Sequence, residues 1–132
     1  MTTGYVVFAH GSRLEAANNA VRRVAEELAD AGGYDAVEAA FLDLDHPTLA
    51  EAVELLVSRG ARRVAVIPYF LTPGRHLTQD MSALVEEIRA RNEGVELVVT
   101  NSLDAHPALL KAVLDLARQA FPAAEPSEGK TL

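Results

Sequence analysis

The sequence predicts an α/β domain built on a four-stranded parallel sheet flanked by helices. Apolar segments of two kinds alternate along the chain, short continuous runs and longer stretches with helical spacing. Glycines mark most of the joins. With 49% of its 132 residues hydrophobic, the chain can bury strands on both faces, as a parallel sheet requires. Four strand-helix units then account for nearly every residue.

Residues 5–9 form the first apolar strand, and Ala17, Val21, Val24 and Leu28 recur at helical spacing until Gly32 and Gly33 stop the helix. Residues 36–42 read as the second strand, and Leu49, Val53, Leu56 and Val57 stripe a helix that ends near Gly60. Pro47 suits the first turn of that helix. The third strand is 63–68, followed by a helix carrying Met81, Leu84, Val85 and Ile88, and Gly94 breaks the chain. The fourth strand is 95–100, and Leu109, Val113, Leu116 and Ala120 stripe a last helix from Pro107. One domain over 1–121 is expected, with a flexible tail over 122–132 whose composition is polar and proline-containing.

Composition removes several function classes. There is no cysteine, so disulfides, thiolate catalysis and cysteine-based metal centres are excluded, and any metal must be held by His, Asp or Glu. A formal charge of -7 without a Lys/Arg run argues against nucleic acid or an anionic membrane as partner. No apolar run approaches a membrane span and no secretory start is present, which leads to the expectation of a cytoplasmic protein.

Two strand exits stand out. Val6-Val-Phe-Ala-His-Gly-Ser-Arg13 and Ile67-Pro-Tyr-Phe-Leu-Thr-Pro-Gly-Arg-His76 each run an apolar strand into a glycine-containing loop with a histidine. In a parallel sheet the carboxyl ends of all strands share one edge, where ligands bind. His10 and His76 are therefore expected at one site. Ser12, read as the cap of the first helix, and Arg13 lie where unpaired helix N–H groups attract anions. After the third strand, Tyr69, Phe70 and Leu71 offer apolar contact, Pro73 and Gly74 make a turn, and Arg75 supplies a cation. Asp43 is the first polar residue past the second strand and should reach the same edge, while Asp104 and His106 read as loop and cap residues. Two imidazoles and a carboxylate can ligate a transition metal or accept protons, but two histidines are too few for a permanent closed centre. His46-Pro47-x-Leu49 recurs as His106-Pro107-x-Leu109, a weak echo that reads as two helices starting alike.

Taken together, His10-Gly11-Ser12-Arg13, Phe41-Leu42-Asp43 with Pro47 and Leu49, and Pro68-Tyr-Phe-Leu with Gly74, His76 and Asp80 resemble the small single-domain class II chelatases of tetrapyrrole biosynthesis. The resemblance spans residues 5 to about 120. It implies a three-layer flavodoxin-like chelatase fold, and insertion of Co2+ into sirohydrochlorin on the way to cobalamin, with ferrochelatase or nickelochelatase activity as alternatives. It further implies that His10 and His76 bind the incoming metal, with Asp43 as a catalytic carboxylate where the family commonly has glutamate. Ser12, Arg13, Phe70, Leu71, Gly74 and Arg75 would meet the tetrapyrrole, whose apolar ring is fringed with carboxylates. A homodimer is implied, and no organic cofactor. A non-catalytic metal or tetrapyrrole carrier could use the same histidines. A phosphoacceptor domain would need an aspartate where His10 ends the first strand, and no Gly-x-Ser-x-Gly hydrolase elbow occurs.

Overall fold

A computed structural model describes residues 2–121. The expected tail, 122–132, lies outside them. Strands β1 (Thr2–Ala9), β2 (Val37–Phe41), β3 (Ala61–Pro68) and β4 (Glu96–Val99) form one parallel sheet in the order β2-β1-β3-β4. Helices α1 (Glu15–Gly32), α2 (Leu49–Ser58), α3 (Gly74–Arg91) and α4 (Ala108–Ala120) follow the strands in turn. The α/β class and the parallel sheet agree with the sequence reading.

β1 is central, and Val6, Val7, Phe8 and Ala9 are all buried, which explains its unbroken apolar character. Its two faces feed two cores. Val7, Ala9, Ala39 and Phe41 pack under Val21 and Ala25 of α1. On the opposite face Val6, Phe8, Val64, Val66 and Leu97 pack under Leu49, Val53 and Leu56 of α2 and Val85 and Ile88 of α3. α1 therefore covers one face of the sheet, and α2 and α3 the other. Gly4 leaves room for Leu56, whose side chain would lie 3.0 Å from a Cβ placed there.

Several sequence expectations are corrected. The buried stripe of α1 is Asn18, Val21 and Ala25, whereas Ala17 is exposed. Pro47 lies outside α2, whose cap is Thr48 with a reciprocal Thr48–Glu51 capping box. The echo of His46-Pro47 with His106-Pro107 does not reflect helices that start alike, because α4 is capped at Pro107 itself. The final helix forms, but none of its residues is buried, so its apolar stripe covers no part of the sheet.

Phe70 is also relocated. It was expected to face a ligand, yet it is buried at 6% exposure and meets Phe8 edge to face, with ring centroids 5.8 Å apart. Bringing a large aromatic ring beneath α3 removes it from water, and that gain outweighs presenting it at the rim. Phe70→Ala is expected to lower unfolding free energy by about 3–5 kcal/mol in a urea titration. A loss under about 1 kcal/mol would contradict the core assignment.

Candidate functional site

The site follows from the strand order. β1 and β3 are neighbours, yet α1 leaves β1 for one face and α3 leaves β3 for the other. The chain thus opens a crevice at the carboxyl ends of β1 and β3, the position at which doubly wound sheets bind ligands. His10 stands one residue past β1, and His76 lies in the first turn of α3. Both are exposed. His76 is helical rather than a loop residue, since α3 begins at Gly74 and leaves only Tyr69 to Pro73 as connection.

Backbone hydrogen bonds carry the strand ladders past the strand ends. Tyr69 N–H donates to the Phe8 carbonyl at 2.7 Å, Leu42 N–H to Ala9 at 2.9 Å, and Asp43 N–H to His10 at 3.1 Å. Asp43 is thereby fixed beside the His10 loop, as the sequence reading placed it. One of its carboxylate oxygens accepts from Leu44 N–H at 2.8 Å. Gly11 adopts φ +95°, and a Cβ there would overlap the carbonyl oxygen of Asp43. The two loops are packed backbone to backbone, and only glycine permits it.

Ser12 does not cap α1. The cap position is Leu14, whose N–H donates to Ser12 Oγ at 3.0 Å. The reason is Asn18, only 3% exposed, which accepts from Ser12 N–H at 2.9 Å and donates to the Ser12 carbonyl at 2.8 Å. With this grip on Ser12 the chain is still extended at Leu14, and the helix starts only at Glu15. Asn18 also donates to Asp45 Oδ2 at 2.9 Å, linking α1 to the loop after β2. Arg22 adds a 3.0 Å ion pair to the same oxygen, donates to the His46 carbonyl, and lies 5.0 Å above the Phe41 ring. The sequence reading missed these three residues, although a polar Asn18 within the apolar stripe of a helix was an available signal.

Titration is perturbed in this bracing. The His46 N–H bond, followed by Arg22, holds the Asp45 carboxyl below its ordinary value. His46 is raised by its 2.8 Å contact with Glu51, and Glu51 is lowered by His46 and by Thr48 N–H.

At the rim, Leu71 is 59% exposed and Tyr69 37%, and Arg13 and Arg75 are exposed. Gly74, with φ +66°, opens α3, whose first turn carries Arg75, contains no acid and lacks a side-chain cap. Asp104 lies in a 3-10 turn, Leu103–Ala105, and His106 Nδ1 accepts from Ala108 N–H at 3.0 Å, so both serve the entry to α4. Among the described residues, no three His, Asp or Glu side chains form a group able to hold a metal ion. The arrangement is an open edge with two imidazoles, a carboxylate, two arginines and a helix amino terminus.

A parallel sheet with helices on both faces defines a doubly wound α/β domain, here with one histidine at the exit of β1 and another in the first turn of α3. A family model described as CbiX matches residues 4–120, and the chain belongs to the CbiX family. Its relatives include the chloroplastic sirohydrochlorin ferrochelatase of Arabidopsis thaliana, 34% identical over 112 residues, covering 85% of this chain and 50% of that protein. The sirohydrochlorin cobaltochelatase of Methanococcus maripaludis is 34% identical over 89 residues, covering 67% of this chain and 62% of that protein. The chain thus spans about half to three fifths of these two relatives. In fold it resembles the CbiX protein of Marinobacter aquaeolei VT8, with a TM-score of 0.79, 24% identity, and coverage of 92% of this chain and 99% of that one. It also resembles SirB from Bacillus subtilis with Fe3+, with a TM-score of 0.82 and 23% identity, covering 92% of this chain and 48% of that one.

Two predictions follow from the loop geometry. Gly11→Ala is expected to cost roughly 1–3 kcal/mol from backbone strain alone, and more from overlap with Asp43. Gly33→Ala, with φ +67° and nothing within 4 Å of a new Cβ, should carry the strain only. Urea denaturation of both variants checks this, and equal losses would contradict direct packing of the two loops.

The second concerns pH. A raised His46 contributes fully below its ordinary 6.5 and loses that contribution as pH climbs through the raised value. A lowered Glu51 contributes above 4.5 and loses its share as pH falls through the lowered value. The pair is therefore strongest between about pH 4.5 and 6.5. Thermal unfolding of His46→Gln should fall further below wild type at pH 5.5 than at pH 8.5, and the same deficit at both would count against the pair.

Proposed function

We propose that this chain is a cytoplasmic, homodimeric sirohydrochlorin chelatase that inserts Co2+ in cobalamin biosynthesis. The observation that supports the reading is His10 at the exit of β1 and His76 in the first turn of α3, on neighbouring strand exits, in a chain of the CbiX family. Relatives named sirohydrochlorin cobaltochelatase support cobalt. The Arabidopsis relative keeps Fe2+ insertion as the second reading.

Insertion requires the cation to lose water, meet four ring nitrogens, and displace two pyrrole protons. His10 and His76 are both exposed and can exchange for bound waters as neutral nitrogen donors. With only two imidazoles the metal is held loosely enough to be passed on, which a closed four-ligand centre would resist. Asp43, anchored to His10 through the backbone, is the assigned acceptor for a ring proton. Leu71 offers apolar surface to the macrocycle, while Arg13, Arg75, Ser12 Oγ–H and the amino terminus of α3 at Gly74 meet the carboxylate fringe. Phe70 contributes from beneath, as packing under the wall that carries Leu71. No organic cofactor enters this scheme, and cobalt is a substrate.

Anaerobic absorbance assays with sirohydrochlorin and Co2+ or Fe2+ test the proposal. His10→Ala and His76→Ala should each slow insertion by on the order of 100-fold or more, since a direct donor must matter at least as much as an outer-shell partner. Their unfolding midpoints should stay near wild type because both side chains are exposed. Near-wild-type rates in both variants would overturn the site. Metal and tetrapyrrole binding without acceleration over the spontaneous rate would instead favour a carrier.

A further inference from the structure

α1 starts later than its sequence invites. Ser12-Arg13-Leu14-Glu15 carries the capping-box pattern, in which Ser12 would cap the helix and Glu15 would reach back to it. Leucine is among the poorest caps, yet Leu14 holds that position, 71% exposed, and its carbonyl accepts from Ala17 N–H at 3.0 Å and Asn18 N–H at 3.4 Å. The helix thus begins at Glu15 where Ser12 as cap would begin it at Arg13. What opposes the earlier start is Asn18, only 3% exposed, whose amide holds both backbone groups of Ser12. Its orientation is fixed by chemistry. Nδ2 faces two acceptors, the Ser12 carbonyl at 2.8 Å and Asp45 Oδ2 at 2.9 Å, which leaves Oδ1 for Ser12 N–H at 2.9 Å. Asp45 is pinned in turn by Arg22 at 3.0 Å and by His46 N–H at 2.7 Å.

We propose that Asn18 is a positioning residue for ligand binding: by keeping Ser12, Arg13 and Leu14 out of α1, it presents the Arg13 guanidinium to an anionic group of the ligand. The role rests on the chelatase reading above for the identity of that ligand, a tetrapyrrole fringed with carboxylates. Arg13 is exposed and makes no ion pair among the described residues, so its charge is uncommitted. An α1 begun at Arg13 would turn Leu14 from the extended conformation it has, φ -84° and ψ 114°, to a helical one. That is a change of about 150° in ψ, and it re-aims the residues before it. A cation in the first turn runs against the helix dipole, but this is a smaller effect than a good cap supplies, so the earlier start is a real competitor once Asn18 lets go. His10 is held by other means. Its carbonyl takes Asp43 N–H at 3.1 Å, and Gly11 packs on the Asp43 carbonyl. Loss of Asn18 therefore falls on the arginine end of the loop and spares the imidazole end.

Sirohydrochlorin affinity measured without metal, set beside kcat for Co2+ insertion at saturating sirohydrochlorin, separates this role from a purely structural one. Asn18→Ala should weaken sirohydrochlorin binding about 10-fold, as for the loss of one contact to a charged group, with a far smaller loss in kcat. The Cα chemical shifts of Arg13 and Leu14 should move toward helical values in the same variant. Asn18→Asp keeps the shape and the acceptor for Ser12 N–H but sets a second carboxylate against Asp45, and it should weaken binding likewise. Asp45→Asn in that chain supplies a donor again and should recover part of the affinity. A variant that only unfolds part of the population would lower kcat and leave the affinity and shifts of the folded chains as in wild type. That pattern, or wild-type affinity in both single variants, would overturn the positioning role. A wild type that binds sirohydrochlorin without metallating it would remove the chelatase reading and leave the role of Asn18 standing.

Discussion

Everything at the crevice depends on β1 being paired in parallel on both sides. Because β2 and β3 both hydrogen-bond to it, the chain segments leaving all three strands emerge side by side. The ladder then continues beyond the strands, through Phe8 to Tyr69, Ala9 to Leu42, and His10 to Asp43. Main-chain bonds thus fix the starting points of the functional segments. The side chains of His10, Asp43 and His76 remain exposed at the ends of these segments.

The bracing of the first loop shows how a small domain holds an exposed site. Ser12 is clamped through its backbone by a buried Asn18, so its hydroxyl keeps a hydrogen free to donate outward. Asn18 is almost wholly buried, but both ends of its amide are satisfied, so it need not weaken the core. Asp45 and Arg22 extend the clamp to the loop after β2. The loops that carry His10 and Asp43 are therefore tied together through Asn18, Asp45 and Arg22 as well as through the backbone.

The strands and the crevice were legible because their causes are local or topological. A continuous apolar run can only be buried on both faces, and parallel strands must send their ends to one edge. Asp43 was placed correctly for that reason. Phe70 was not, because a strand-exit aromatic can turn toward solvent or toward the core, and only the tertiary position of Phe8 decides. The start of α1 was misread because Ser12 has the chemistry of a cap, whereas Asn18, six residues on, takes hold of its backbone. His76 was read as a loop residue because Gly74 signals a turn, yet its positive φ here opens a helix.

α4 is the most informative discrepancy. Its stripe is helical as the spacing implies, yet none of its residues is buried, since periodicity reports that a face is apolar and is silent on which surface receives it. The half of the sheet that α1 leaves uncovered is not a failure of pattern either, for Tyr5, Ala65, Ile67 and Val98 are as apolar as a covered face needs. Both halves of a normal helix-on-sheet contact are encoded, but they do not meet within the described chain. A sequence that specifies both surfaces and leaves both unburied bears a solvation cost in a single copy.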